Sequence, residues 1–145
     1  MITKSVTITN PSAGSQSFSW FEYTDWDLNF SDFDDSASSV SATAIVQTDG
    51  GTTATVLQLG TAPDAWEIDV FRDLLDDLED AFPNSLSSSG SIVDGDVTFA
   101  WQWDVNLAPG QDFTTLTQTS LVPEPGLLAL LGSGLFGLAL LRRRA

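Results

Sequence analysis

The chain has neither cysteine nor histidine among its 145 residues. Without cysteine it can form no disulfide bond, no thiolate metal site and no cysteine nucleophile. Without histidine it lacks the commonest general base and the imidazole ligand of most transition-metal sites. An enzyme of this sequence would have to work with carboxylates alone. We therefore predict a non-enzymatic protein with no cofactor.

Basic residues are almost as scarce before the end of the chain. Lys4 and Arg72 are the two that precede Pro123, whereas 19 of the 20 acidic residues lie in the same stretch. Nineteen negative against two positive side chains leave this part with a formal charge of −17. A field of that sign repels nucleic acid and favours solubility. We predict no nucleic-acid partner.

An uncharged apolar run occupies residues 126–141 near the C-terminus. At about 1.5 Å per residue it makes a helix of roughly 24 Å, against a hydrocarbon core of about 30 Å. The run lies between a triplet and a basic cluster: Pro123, Glu124 and Pro125 before it, then Arg142, Arg143 and Arg144 after it. Arginines favour the cytoplasmic side of a membrane. We predict a C-terminal transmembrane helix that leaves the residues before the triplet outside.

This order of triplet, apolar helix and basic end resembles the PEP-CTERM sorting domain of bacterial surface proteins. The resemblance implies that an exosortase, a membrane-embedded transpeptidase, cuts near the triplet and transfers the exported chain to the cell surface or extracellular matrix. It also divides the chain into an acidic ectodomain, residues 1–120, and a sorting signal, residues 121–145. An ordinary membrane anchor that is never cut is the alternative.

The N-terminus departs from the pattern of that family. A secretory signal has a basic region and about 7 to 15 apolar residues, whereas residues 1–10 resemble a strand in which Val6 and Ile8 alternate with polar residues. Three other stretches resemble one recurrent type of PEP-CTERM ectodomain: residues 18–35, 66–82 and 99–110. Further strands precede the equivalent of Val6 in that type. We therefore expect this chain to be an N-terminally truncated form of a longer exported protein.

Most of the ectodomain alternates between short strands and turn residues. Asp49-Gly50-Gly51 is a strong hairpin signal, because glycine tolerates positive φ. Residues 96–107 keep a period of two the longest, which predicts a half-buried strand with Phe99, Trp101 and Trp103 on its core face. The predicted strands are residues 4–10, 16–23, 40–48, 52–59, 96–107 and 112–120. Short connections between them favour an antiparallel β-sandwich, so the fold class is mainly β.

One segment has a helical period instead. Within residues 64–82, apolar residues recur every three to four positions and acidic residues fill the opposite face. Pro83 follows directly and cannot continue a helix. We predict one amphipathic helix here, packed against the sandwich.

The five tryptophans raise the question of carbohydrate binding. Trp101 and Trp103 share a strand face with Phe99, so core packing is the better interpretation for both. Trp26 lies in a predicted loop between two aspartates and is the plausible exposed aromatic. A carbohydrate-binding module associated with exopolysaccharide is therefore the alternative function.

Acidic residues are the remaining candidates for chemistry. Asp25, Asp27, Asp32, Asp34 and Asp35 fall within one short stretch. Calcium takes about six to eight oxygen ligands, but the glycine and glutamate positions of an EF-hand are missing. We interpret the stretch as a solvated acidic loop, with calcium binding as the alternative, and predict no metal ligand.

A carboxylate-based glycosidase is a third hypothesis. It needs two carboxylates at a suitable separation, one of them with a raised pKa. Nineteen carboxylates make such a pair geometrically easy and therefore uninformative. The leading hypothesis remains an exported, non-enzymatic surface or matrix protein.

Overall fold

The structure is a computed structural model of the chain and describes residues 1–30, 33–80 and 85–122. These residues form nine strands, one α-helix and a 3-10 turn at Leu28–Phe30. The strands are β1 (Ile2–Thr9), β2 (Gln16–Asp25), β3 (Asp35–Ser41), β4 (Ala44–Asp49), β5 (Thr52–Gln58), β6 (Ala65–Val70), β7 (Ser91–Gly95), β8 (Val97–Leu107) and β9 (Asp112–Val122). The helix α1 covers Asp73–Glu79. The chain is mainly β, as predicted.

The strands form two antiparallel sheets. The large sheet has the order β1-β9-β5-β4-β3-β7, and the small sheet has the order β2-β8-β6. Both of the longest strands, β8 and β9, have a partner strand on each side. On the second side, β6 pairs with residues 97–102 of β8 and β5 pairs with residues 117–122 of β9. The small sheet places β8 at its centre, and β9 lies between β1 and β5 in the large sheet.

One hydrophobic cluster joins the two sheets. It combines Ile45 and Val56 of the large sheet with Phe99, Trp101 and Trp103 of β8. Phe99 and Trp101 meet edge to face at 5.4 Å between ring centroids. Both indole N–H groups are satisfied, because Trp101 donates to the carbonyl of residue 42 and Trp103 to that of residue 61. The predicted core face of β8 is confirmed.

Residues 40–48 were predicted to form one continuous strand, and this prediction is wrong. The chain turns at Ala42 and Thr43, between β3 and β4. The carbonyl of Ala42 accepts the indole N–H of Trp101 at 3.1 Å, so a contact with the core holds the turn. The next turn, at Gly50 and Gly51, has φ values of 54° and 104° and confirms the hairpin prediction.

The predicted helix over residues 64–82 is much shorter, and its first part is wrong. Ala65–Val70 is the strand β6, in which Ile68 pairs with Phe99 of β8. The side chains at 66, 68 and 70 keep a period of two, whereas Ile68 also shares a helical spacing with Phe71 and Leu74. Pairing with β8 decides between them, because it satisfies the backbone and buries Ile68. The predicted end at Pro83 lies outside the described residues.

The second face of β8 also differs from the prediction of a half-buried strand. Thr98, Ala100 and Gln102 are all buried. Leu74 of α1 and Leu86 pack with Ala100 in a separate hydrophobic cluster. The sequence pattern showed polar residues here, but it could not show that a helix and a loop would cover them.

No helix among residues 1–30, 33–80 and 85–122 is long and apolar enough to cross a membrane. The predicted transmembrane helix at residues 126–141 lies outside the described residues. The predicted strand near the N-terminus is confirmed as β1, which pairs with β9 at one edge of the large sheet. Truncation before this strand stays a prediction.

Candidate functional site

The end of β9 is where the folded part of the chain meets the predicted sorting signal. Val122 pairs with Thr53 and Leu121 pairs with Ala54, so the ladder continues to the last residue before the triplet. Both apolar side chains are more than half exposed. The predicted sorting and topology residues lie outside the described residues: Pro123, Glu124, Pro125, Arg142, Arg143 and Arg144.

Two adjoining clefts open beside this end of β9. The first has a volume of about 630 Å³ and lies between Ile2, Leu121 and the segment that carries Trp26. The second has a volume of about 430 Å³, shares Trp26 with the first, and continues to Lys4 and Glu22. Trp26 therefore contributes to both walls.

Trp26 is less exposed than the sequence predicted. It packs against the main core cluster, where its ring meets Phe99 edge to face at 6.1 Å. The prediction of an exposed aromatic is therefore only partly right, because Trp26 is partly buried against the core. Part of the Trp26 side chain still faces the two clefts.

Glu22 is a buried carboxylate in the second cleft. Its side chain accepts a hydrogen bond from Thr117 at 2.6 Å and forms an ion pair with Lys4 at 2.7 Å, both through Oε1. The other oxygen, Oε2, is buried and has no hydrogen-bond partner among the described residues. A carboxylate held by a lysine and a hydroxyl is arranged as a structural ion pair rather than as a general base.

The acidic stretch of the sequence separates into two clusters in space. Asp25 and Asp27 meet Asp96, while Asp34 and Asp35 meet Asp49, with carboxylate oxygens within 4.8 Å of one another in each cluster. Asp32, the fifth predicted member, lies outside the described residues. The sequence did not indicate these contacts, because Asp96 and Asp49 are distant in sequence from the acidic stretch that they join.

The two clusters differ in burial. In the first, Asp25 and Asp27 are exposed; partial burial raises the pKa of Asp25, and the charge of Asp27 raises it further. In the second, Asp35 and Asp49 are buried, so the interpretation of a solvated loop is wrong for Asp35. Burial raises the pKa of Asp35 above its usual 3.8, Asp49 adds to the rise, and hydrogen bonds to the carboxylate oppose it.

The residue Glu22 is one that the sequence analysis missed, although a signal was present. In β2 it follows Phe18 and Trp20 at a spacing of two, and Phe18 and Trp20 pack against the core. The alternation of that strand placed Glu22 on the core face.

Comparison with known families identifies the C-terminal region. A family model described as the PEP-CTERM protein-sorting motif matches residues 121–144. The chain carries a PEP-CTERM sorting motif. The match begins at Leu121, so its first two residues are the last two of β9. Neither the curated proteins nor the solved structures contain a significant match to the chain.

The PEP-CTERM motif indicates how the protein is exported and sorted. It implies export, a membrane-anchored precursor and sorting by an exosortase at the C-terminus. The match covers the motif and not the strands before Leu121. The predicted resemblance of the ectodomain to other PEP-CTERM proteins therefore stays a prediction.

Proposed function

We propose that this chain is a non-enzymatic protein of the cell surface or extracellular matrix, with a structural role for its β-sheet domain. The observation that carries the proposal is the direct junction between β9 and the PEP-CTERM motif. A folded, acidic domain ends where the sorting motif begins, as expected of cargo attached to an anchoring system. Its strong negative charge favours solubility after release from the precursor.

The tail supplies the proposed sorting mechanism. Residues 126–141 hold the precursor in the membrane, and Arg142 to Arg144 keep its end on the cytoplasmic side. Pro123 and Pro125 restrict their own φ and bias the preceding residues away from helix. The triplet then presents an extended segment to the exosortase just outside the membrane.

The experiment is expression of the full chain behind a secretion signal, in cells with and without an exosortase. We expect a shorter, surface-associated form only where the exosortase is present. Changing Pro123, Glu124 and Pro125 together to alanine should leave the long, membrane-bound precursor. Pro109→Ala, in the turn between β8 and β9, is the matched control and should be processed normally. A full-length chain found free in the cytosol of exosortase-bearing cells would contradict the proposal.

A carbohydrate-binding module is the second candidate function. It is favoured by the joined clefts, in which Trp26 offers part of an aromatic face beside Asp25 and Thr119. Aromatic faces bind the apolar side of sugar rings. Carboxylates accept hydrogen bonds from sugar hydroxyls, and protein hydroxyls can both donate to them and accept from them. An exopolysaccharide is the proposed ligand.

Titration of the detergent-solubilised full chain with exopolysaccharide, followed by tryptophan fluorescence, tests this second function. We expect a saturable change that Trp26→Phe weakens and Trp66→Phe, outside both clefts, preserves. An unchanged fluorescence signal across several polysaccharides would rule out carbohydrate binding and leave the structural role as the proposed function.

A further inference from the structure

Two buried carboxylates lie side by side at one end of the large sheet. Asp35 begins β3 and is 1% exposed, and Asp49 ends β4 and is 7% exposed. The exposed Asp34 completes the group, and carboxylate oxygens of all three lie within 4.8 Å of one another. Burial of neighbouring like charges is unfavourable unless a proton or a cation neutralises them.

The backbone around the cluster is tied together by hydrogen bonds. Asn29 donates from Nδ2 to the carbonyl of Asp49 at 2.8 Å and accepts from the Thr52 hydroxyl at 2.9 Å. The amide of Leu28 donates to Asp35 Oδ2 at 3.2 Å. The 3-10 turn is therefore fastened to the β4–β5 hairpin and to Asp35. The pairing of β3 with β4, in which Ser36 stands opposite Thr48, places Asp35 next to Asp49.

Two oxygen atoms in this region lack hydrogen-bond partners within the described ranges. Asp35 Oδ1 is one of them, and Oε1 of the fully buried Gln47 is the other. Gln47 Nε2 donates to Asp35 Oδ2 and to the Trp26 carbonyl, so its amide lies directly against the cluster. Buried polar atoms in native proteins normally have a partner. Both unpartnered atoms are acceptors, so the partner that they lack is a hydrogen-bond donor or a cation.

We propose that Asp34, Asp35 and Asp49 bind a calcium ion, with Asp35 and Asp49 as the buried ligands and Asp34 on the solvent side. Calcium–oxygen distances of about 2.3–2.6 Å allow ligands on opposite sides of the ion to stand about 4.6–5.2 Å apart. Magnesium demands near-ideal octahedral geometry and usually keeps several waters, so a group of three protein carboxylates suits calcium better. Oxygen ligands without histidine or cysteine suit calcium rather than a transition metal.

The other acidic cluster provides an internal contrast. Asp25 and Asp27 are exposed, and none of the described carboxylate oxygens of that cluster is both buried and without a hydrogen-bond partner. Water can solvate exposed carboxylates at little cost, so nothing there calls for a bound ion. The proposal is therefore restricted to the cluster at Asp35 and Asp49.

The test is calcium titration of the detergent-solubilised full chain by calorimetry, together with its melting temperature. Extracellular calcium modules bind at about 0.1–1 mM, so calcium is taken to about 10 mM. We expect saturable binding and a rise in melting temperature of about 5 °C when calcium exceeds its Kd about tenfold. Magnesium at the same ionic strength should produce a much smaller rise.

Two variants at the cluster and one elsewhere complete the test. Asp49→Asn and Asp35→Asn should abolish the calcium response, and Asp49→Asn should melt no lower than the native chain without calcium, because it removes charge repulsion. Asp112→Asn, an exposed change of the same charge at the start of β9, should keep the full response. Absence of calorimetric binding in the native chain, an equal effect of magnesium, or equal loss in Asp112→Asn would each overturn the proposal.

Discussion

Both faces of β8 are buried from Val97 to Trp103, yet they are built in different ways. On the inner face Phe99, Trp101 and Trp103 pack against the large sheet with aromatic rings edge to face. On the outer face the residues are small or polar, and α1 and Leu86 cover them. One strand is thus stabilised by large apolar area on one side and by a thin cover on the other.

Hydrogen bonds also connect the outer face of β8 to the segments around it. Gln102 Oε1 accepts the amide of Leu86 at 2.8 Å, and the Thr98 hydroxyl donates to the Asp69 carbonyl at 3.1 Å. Such bonds contribute modestly to stability when made and are costly when a buried partner is left unpaired. The comparison indicates that the inner face supplies most of the stability, whereas the outer face depends on keeping its cover in place.

Removing the largest inner side chain should have the largest effect. Trp101 is fully buried, so Trp101→Ala should lower the free energy of unfolding by about 4 kcal/mol, through lost apolar contact and a cavity. Urea unfolding measures the loss. Trp101→Phe keeps most of the apolar volume, so its free energy of unfolding should fall clearly less. This variant allows the measurement even if the alanine variant does not fold. A loss below about 1 kcal/mol for Trp101→Ala would mean that the inner face is not dominant.

The cover of the outer face should depend on a single glycine. Gly90 has a φ of 117°, and a Cβ there would stand 2.0 Å from the Ile68 carbonyl oxygen. Gly90→Ala should therefore destabilise the protein by about 3 kcal/mol, because it pushes the covering segment away from β6. Gly14→Ala, with open space around its Cβ, is the matched control. Equal unfolding midpoints for the two variants would rule out this close approach.

Truncation within the cover itself should cost less than truncation of Trp101. Leu74 lies on α1 and is buried against Ala100. Leu74→Ala should therefore lower the free energy of unfolding by about 2–3 kcal/mol. Hydrogen exchange should show lost protection in α1 with β8 still protected, because the inner face remains intact. Leu75→Ala, on the same helix but partly exposed, should lose less. Equal loss of protection in β8 would show that the two faces are one cooperative unit.

The smallest expected effect lies where the outer face reaches solvent. Ser19 and Gln102 donate to the Asp104 carboxylate at 2.7 and 2.9 Å, and these bonds hold its pKa below the usual 3.8. A depressed folded-state pKa contributes stability above pH 4, which is lost as the pH falls through the folded value. Ser19→Ala should therefore cost about 0.3 kcal/mol at neutral pH, because solvent screens this exposed site.

The pH dependence of the same variant separates the bond from other effects of the mutation. Thermal melts at neutral pH and near pH 2 should show the difference between Ser19→Ala and the native chain shrinking toward zero in acid. Ser17→Ala, also exposed on β2, should show no such dependence. A difference that grows in acid would contradict the assigned role of Asp104.

Much of the fold could be predicted where neighbouring residues carry the signal. The alternation of Phe99, Trp101 and Trp103 predicted their shared core face, and two consecutive glycines predicted the β4–β5 hairpin. These are local patterns, because a strand repeats every two residues and positive φ favours glycine. The same reasoning failed at Ile68, since its spacing fits a helix and a strand equally well.

The candidate sites were less predictable. Asp35 and Asp49 are 14 positions apart, and the antiparallel pairing of β3 with β4 brings their carboxylates together. Glu22 meets Lys4 and Thr117 from three different strands. The residue type does not reveal whether a carboxylate is solvated or buried. Composition alone therefore could not show that Asp35 is buried and Asp27 exposed.

The sequence by itself determined the PEP-CTERM motif, because the triplet, the apolar run and the arginines are contiguous and act through their order. It also determined the charge of the domain and the aromatic face of β8. Only the tertiary structure decided that residues 65–70 form a strand, that the outer face of β8 is covered, and that Asp35 and Asp49 are buried together. Those outcomes depend on which distant segments pack against each residue, and burial is a property of that packing.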